Sequence, residues 1–161
     1  MLLAQNPCLL VNAIPEKANI GLGYFGGDYG ELVHIGQDRQ KILSEVYDLD
    51  TGSGTPMAHA IHEVAYEALT AQAQKQAGYG EYHIVIVTDG KATDDNLEGV
   101  VRFILQNTPI VIHTIGLGIG ENHSLNQPGR IDYKAADDLT SLRKTLSDVL
   151  AEAPTFDVSQ F

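Results

Sequence analysis

The sequence predicts an α/β domain in three layers: a mostly parallel sheet covered by helices on both faces, with one antiparallel hairpin strand. Three observations lead there. The segments His83 to Thr88 and Pro109 to Ile115 are largely apolar, of strand length and without clean alternation, as strands covered on both faces are. Apolar residues at helical spacing precede the first of these runs and recur between the two. Ile20 to Phe25 and Glu31 to Ile35 flank Gly26-Gly27-Asp28-Tyr29-Gly30 and read as a β-hairpin.

The remaining elements follow in order. Cys8 to Ile14 is a short apolar piece behind Asn6-Pro7, a capping residue followed by one suited to the first helical position. Arg39 to Val46 fits a short helix after the hairpin. The clearest helix runs from about Pro56 to Gln74, with Met57, Ile61, Val64 and Ala68 on one face and Glu63, Glu67 and Thr70 on the other. Another is expected to open at Asp94-Asp95, whose carboxylates suit the positive end of a helix dipole, with Leu97, Val100 and Ile104 on one side. Ile131 to Lys134 is expected to be a last short strand. Leu139, Leu142, Leu146 and Val149 form the apolar stripe of a final helix stopped at Pro154.

At 161 residues the chain is long enough for one domain with one core. A net charge of −11, with ten scattered Lys and Arg, argues against nucleic acid and anionic membrane as partners. No apolar run approaches the roughly 20 residues of a membrane-spanning helix. Met1 to Ala4 lack the basic start and long apolar region of a signal peptide, so a cytoplasmic setting is the expectation. The single Cys8 has no partner for an internal disulfide.

In a parallel sheet, ligands sit outside the carboxyl ends of the strands. That singles out the loops Thr88 to Asp95 and Gly116 to Asn122, joined at the rim by Asp48 to Thr55. Thr55 at a helix start and Asp89 at a strand end are hard oxygen donors of the kind Mg²⁺ prefers, with Ser53 beside them. The same residues read equally well as a helix-capping hydroxyl and an Asp-Gly turn.

Several look-alikes are weaker. Gly21-x-Gly23-x-x-Gly26 spells a dinucleotide-binding fingerprint but lies within a strand of the hairpin. Gly116-x-Gly118-x-Gly120 reads as a rim loop. Asp50-Thr51-Gly52-Ser53 spells the aspartic protease signature, a chemistry that needs two facing carboxylates sharing a proton; here a helix follows at once, and no catalysis is expected. His59 and His62 stand a turn apart beside Glu63, a pairing a zinc ion could use, without an evident third ligand. Asn122-His123-Ser124 is a chance match to a glycosylation triplet.

Four motifs in order resemble the von Willebrand factor A family. They are Ile20-Gly21-Leu22-Gly23-Tyr24-Phe25, the Gly52-x-Gly54-Thr55-Pro56-x-Ala58 helix start, the strand ending Thr88-Asp89-Gly90, and the strand ending Ile115-Gly116-x-Gly118. The flavour is most similar to intracellular A domains of magnesium- and cobalt-chelatase subunits. The resemblance implies a Rossmann-like fold over residues 1–153, with 154–161 as a tail. It also implies a non-catalytic protein-binding module whose Mg²⁺ is held by Thr55 and Asp89 and bridged by a carboxylate of the partner. In its chelatase form the partner would be an AAA+ ATPase. The family's first ligand segment, Asp-x-Ser-x-Ser, is absent, so the resemblance further implies that the first, central strand is missing and the domain is incomplete at its amino end.

Overall fold

The computed structural model describes residue 11, residues 14–49, 52–75, 80–120 and 123–136, and positions 140, 141, 144, 145, 147 and 148. β1 (Ile20–Gly26) and β2 (Asp28–Gly36) form the expected antiparallel hairpin. Its turn is tighter than the five residues anticipated: Gly26 pairs with Asp28, leaving Gly27 alone at the apex with φ +76°. A side chain is disfavoured there. α1 (Arg39–Tyr47) opens at Asp38, whose carboxylate accepts the Lys41 N–H at 2.9 Å, an N-cap in the ordinary sense. It buries Ile42 and Val46 against Val33 of the hairpin and Val11 of the amino-terminal segment. The Arg39 guanidinium donates to the Val11, Ile14 and Pro15 carbonyls and so ties that segment down.

α2 matches the strongest helical pattern and runs as three contiguous pieces: an α turn Met57–His59, a π-helical segment Ala60–Tyr66 and an α segment Glu67–Lys75. The π segment bonds Glu67 N–H back to His62 O, which shifts the side chains around the axis relative to an ideal α helix. β3 (Tyr82–Thr88), β4 (Ile110–Leu117) and β5 (Asp132–Ala136) are parallel, in the order β3-β4-β5. β5 begins one residue later than expected and extends to Ala136, while Ile131 is buried as part of the core. α3 (Leu97–Asn107) crosses between β3 and β4. Met57 and Ile61 of α2, Leu97, Val101 and Ile104 of α3, and Ile84, Ile86, Ile110 and Ile112 of the strands form the main core. β3 shows more alternation than its sequence suggests: Ile84, Ile86 and Thr88 are buried and the residues between them half-buried.

The strands make two sheets, β1-β2 and β3-β4-β5. α2 spans both, with Ile61 in the core against Ile84 and Ile86 while Val64 lies against Gly23 of β1. Among the described residues no strand pairs with the second edge of β1 or the outer edge of β3. Thr140, Ser141, Lys144, Thr145, Ser147 and Asp148 are helical, as the final helix requires. Its apolar stripe, with Cys8, Asn6-Pro7 and the tail, lies outside the described residues. No described helix is long and apolar enough to cross a membrane.

Candidate functional site

The sheet's carboxyl end is assembled from loops that hold one another. Pro56 occupies the N-cap position of α2 and offers no side-chain bond to the free N–H groups there. The missing acceptor comes from another loop. Asp94 Oδ2 accepts the His59 N–H at 3.0 Å and lies 2.9 Å from His59 Nδ1, with the Asp94 side chain only 9% exposed. Burial works against its ionisation most strongly, but hydrogen bonds from the His59 backbone and ring and the Ala58 backbone outweigh it and hold the carboxyl below its ordinary range. This corrects the expectation that Asp94-Asp95 open α3. That helix starts at Leu97, behind Asn96 in the left-handed region at φ 67° without a side-chain cap. Asp94 serves the neighbouring helix instead.

Thr55 is stapled to the same loop by two bonds. Its N–H donates to Thr93 Oγ1 at 2.8 Å, and the Thr93 N–H donates to the Thr55 carbonyl at 2.9 Å. The Thr55 hydroxyl faces Gly90, where an added Cβ would lie 3.3 Å from Oγ1. Thr55 is half-buried; Asp89 and Ser53 are exposed. The Thr88 hydroxyl accepts from the Gly90 N–H and donates to the Gly90 carbonyl, shaping the turn that presents Asp89. The hairpin joins through Gly27 N–H to the Gly54 carbonyl at 3.3 Å. At Gly52 the approach is closest of all, since a Cβ there would fall 1.8 Å from the Gly26 carbonyl oxygen. The structure therefore brings the Thr55 and Asp89 loops to one rim, at the carboxyl ends of both β1 and β3.

His123 was not singled out by sequence reasoning beyond its place in a glycosylation triplet. It is 6% exposed, its Nδ1 accepts the Leu125 N–H at 3.1 Å, and its Nε2 lies 2.8 Å from the Gly90 carbonyl. These partners assign the proton to Nε2, which donates to Gly90 and ties the third loop to the Asp89 turn. Its ring stacks on Tyr133 at 5.8 Å, and the Tyr133 hydroxyl donates to the Gly120 carbonyl. Gly118 and Gly120, at φ +65° and +59°, make the expected rim loop, while Glu121 and Asn122 lie outside the described residues.

Other motifs resolve differently. His59 turns to Asp94 and stacks on Tyr29, while His62 stacks on Tyr66, so the two rings serve separate partners rather than one zinc ion. Among the described residues no group of three His, Cys, Asp or Glu is placed to hold a metal. Gly21-x-Gly23-x-x-Gly26 lies in β1 with a hairpin turn after it, as its context required. Asp50 and Thr51 lie outside the described residues, and Gly52-Ser53 belong to the loop ahead of α2.

A second polar group lies nearer the amino ends of the strands. His83 Nδ1 and His113 Nε2 are 3.1 Å apart, in rings whose centroids are 5.4 Å apart and whose planes differ by 17°. The two figures differ by about the full sum of two ring radii, the most that geometry allows, so the nitrogens meet head on. They are placed to share one proton, with no room for a metal between them. Asp132 Oδ2 lies 3.4 Å from the other nitrogen of His113. Burial pushes the His113 imidazole below its ordinary range; Asp132 opposes this and His83 adds to it.

The von Willebrand factor type A domain model matches residues 9–148 of the chain. No functionally curated protein matches it. Among solved structures, a von Willebrand factor type A protein from Catenulispora acidiphila superposes with a TM-score of 0.70 at 14% identity, over 94% of this chain and 37% of its own. This chain thus spans little more than a third of that relative. The SpRpn10 VWA domain gives 0.63 at 19% identity, covering 94% of this chain and 82% of its own. The manganese-loaded TRAP protein of Plasmodium vivax gives 0.66 at 19% identity, covering 92% and 65%. With the family model spanning most of its length, this chain belongs to the von Willebrand factor type A domain family.

Proposed function

We propose that the domain is a protein-interaction module that docks its partner at the rim, with Mg²⁺ held by Thr55 and Asp89, Ser53 beside them, and a carboxylate of the partner completing the site. The observation that supports it is the paired bond between Thr55 and Thr93, which keeps the Thr55 hydroxyl beside the Asp89 turn without engaging the Thr55 side chain. The donors are all hard oxygens, a set that fits Mg²⁺. They are also few. Mg²⁺ demands an octahedron and gives up water reluctantly, so this chain's residues alone support weak binding. A further strand running parallel to β3 along its outer edge would end at the same rim and could add oxygen ligands there. The TRAP relative, loaded with manganese, supports the reading by likeness of fold.

A melting curve of the full-length protein, with and without millimolar Mg²⁺, tests the site. The expected result is a rise in Tm that Asp89→Ala abolishes. No shift at any concentration sinks the metal bridge. The alternative reading, carried by the chelatase-like flavour of the motifs alone, makes the domain a non-catalytic subunit working beside an AAA+ ATPase in the cytoplasm. Co-purification of such an ATPase is the expected result, and its loss from an Asp89→Ala pull-down would link it to the rim.

A further inference from the structure

Strand residues two apart share a face, and the register sets His113 between Val85 and Asp132. His83, His113 and Asp132 therefore lie in a row across β3-β4-β5, on the face turned away from Ile84, Ile86 and Ile112. Just ahead of β3, Glu81 closes one end of the row, its Oε2 3.8 Å from His83 Nε2. Lys134 closes the other, 3.6 Å from Asp132 Oδ2. Among the described residues, Glu81, Asp132 and Lys134 are the charged groups that face the two imidazoles.

One order of protons fits this row. Asp132 Oδ2 lies 3.4 Å from His113 Nδ1, and a carboxylate only accepts, so that nitrogen carries hydrogen. The neutral His113 ring then has a bare Nε2, which accepts from His83 Nδ1 at 3.1 Å. With its hydrogen on Nδ1, neutral His83 keeps a lone pair on Nε2. That atom is shut off from solvent and has no hydrogen-bond partner. An unmet buried acceptor is costly, and this one faces a carboxylate. A proton arriving there relieves both faults: the new N–H points at Glu81, and the bond from Nδ1 to His113 is undisturbed. His113 has no such opening. Both its nitrogens are engaged, and burial, with His83 beside it, works against its charge. The reverse order would aim a bare His113 Nδ1 at Asp132, whereas the more exposed Glu81 can turn to water.

We infer that His83 and Glu81 form an acid-operated clasp at the start of β3: His83 takes up a proton at Nε2 and closes on Glu81, while His113, fixed by Asp132, stays neutral and holds His83 in position. Ring-nitrogen NMR signals of the intact chain, followed from about pH 8 to about pH 5, test it. At the upper end both rings should carry hydrogen on Nδ1 and none on Nε2. As the pH falls, His83 should gain its second proton and the Glu81 carboxyl signal should move in the same step, with His113 Nε2 still bare. Asp132→Ala should let His83 pass into a mixture of its two neutral forms, although the two side chains do not touch. Asp132→Asn, whose carbonyl still accepts, should preserve the Nδ1 form. The wild-type titration decides by itself should the alanine variant fold poorly. Hydrogen on Nε2 of neutral His83, a second proton on His113 ahead of His83, or a Glu81 signal indifferent to the step overturns the clasp. So does an unaltered His83 in a folded Asp132→Ala chain.

Discussion

His113 and Asp94 are buried side chains whose titration is shifted in the fold, and each shift has a consequence for stability. Burial holds the His113 imidazole below its ordinary range, so the unfolded chain takes up that proton first as the pH falls. Its contribution is complete above the unfolded value of roughly 6.5 and is lost as acid brings the pH down towards the folded one. The urea midpoint should therefore fall between about pH 7.5 and pH 5.5, and His113→Gln should flatten that slope; a wild-type midpoint that stays level would count against it. Asp94 is shifted down as well, but as an acid. Its stabilisation is present above the ordinary carboxylate value of about 3.9 and is lost as the pH falls through the lower folded one. Asp94→Asn removes the charge from the α2 cap and should cost about 1–2 kcal/mol, read as a Tm lower by roughly 2–8 °C. Both residues were visible in the sequence; their partners were not. Asp94 sits three residues before α3, where any local rule assigns it to that helix, and only the packing of two loops delivers it to α2.

Between elements, the rim depends on close backbone approach. Gly52→Ala would drive a Cβ into the Gly26 carbonyl and force the hairpin and the loop apart, so a loss of about 2 kcal/mol or more is expected from thermal or urea unfolding. An alanine variant as stable as the wild type would show that the loop gives way freely. His123→Phe keeps the ring stacked on Tyr133 but leaves the Leu125 N–H and the Gly90 carbonyl without their imidazole partner. It should cost about 1–3 kcal/mol, and amide exchange should quicken at Gly90 more than in α3. Element type was readable from period: β1, α1, α2, β3 and β4 fall within a residue or two of their sequence limits, while β2 starts three residues early because the turn is shorter. Three details escaped. The single-residue turn at Gly27, the π segment of α2 and the late start of α3 each depend on a backbone path that apolar spacing does not encode.

Across the whole molecule, the division into two sheets governs behaviour. β4 is hydrogen-bonded on both sides, whereas among the described residues β3 pairs only with β4. The β3 amides directed at β4 should exchange slowly and those directed away from it quickly, giving an alternating pattern along Tyr82–Thr88. A strand added at that edge should slow the second set; uniform protection along β3 without one would contradict the open edge. By itself the sequence determined the α/β class, the order of its elements and the positions of Thr55 and Asp89 at the ends of a loop and a strand, because periodicity and turn chemistry are local. Only the tertiary structure decided that the two loops interlock through Thr93, that Asp94 caps α2, that His123 pins the Asp89 turn, and that His59 and His62 part company. Those are contacts between residues tens of positions apart, and no local propensity specifies which distant group will satisfy a buried donor.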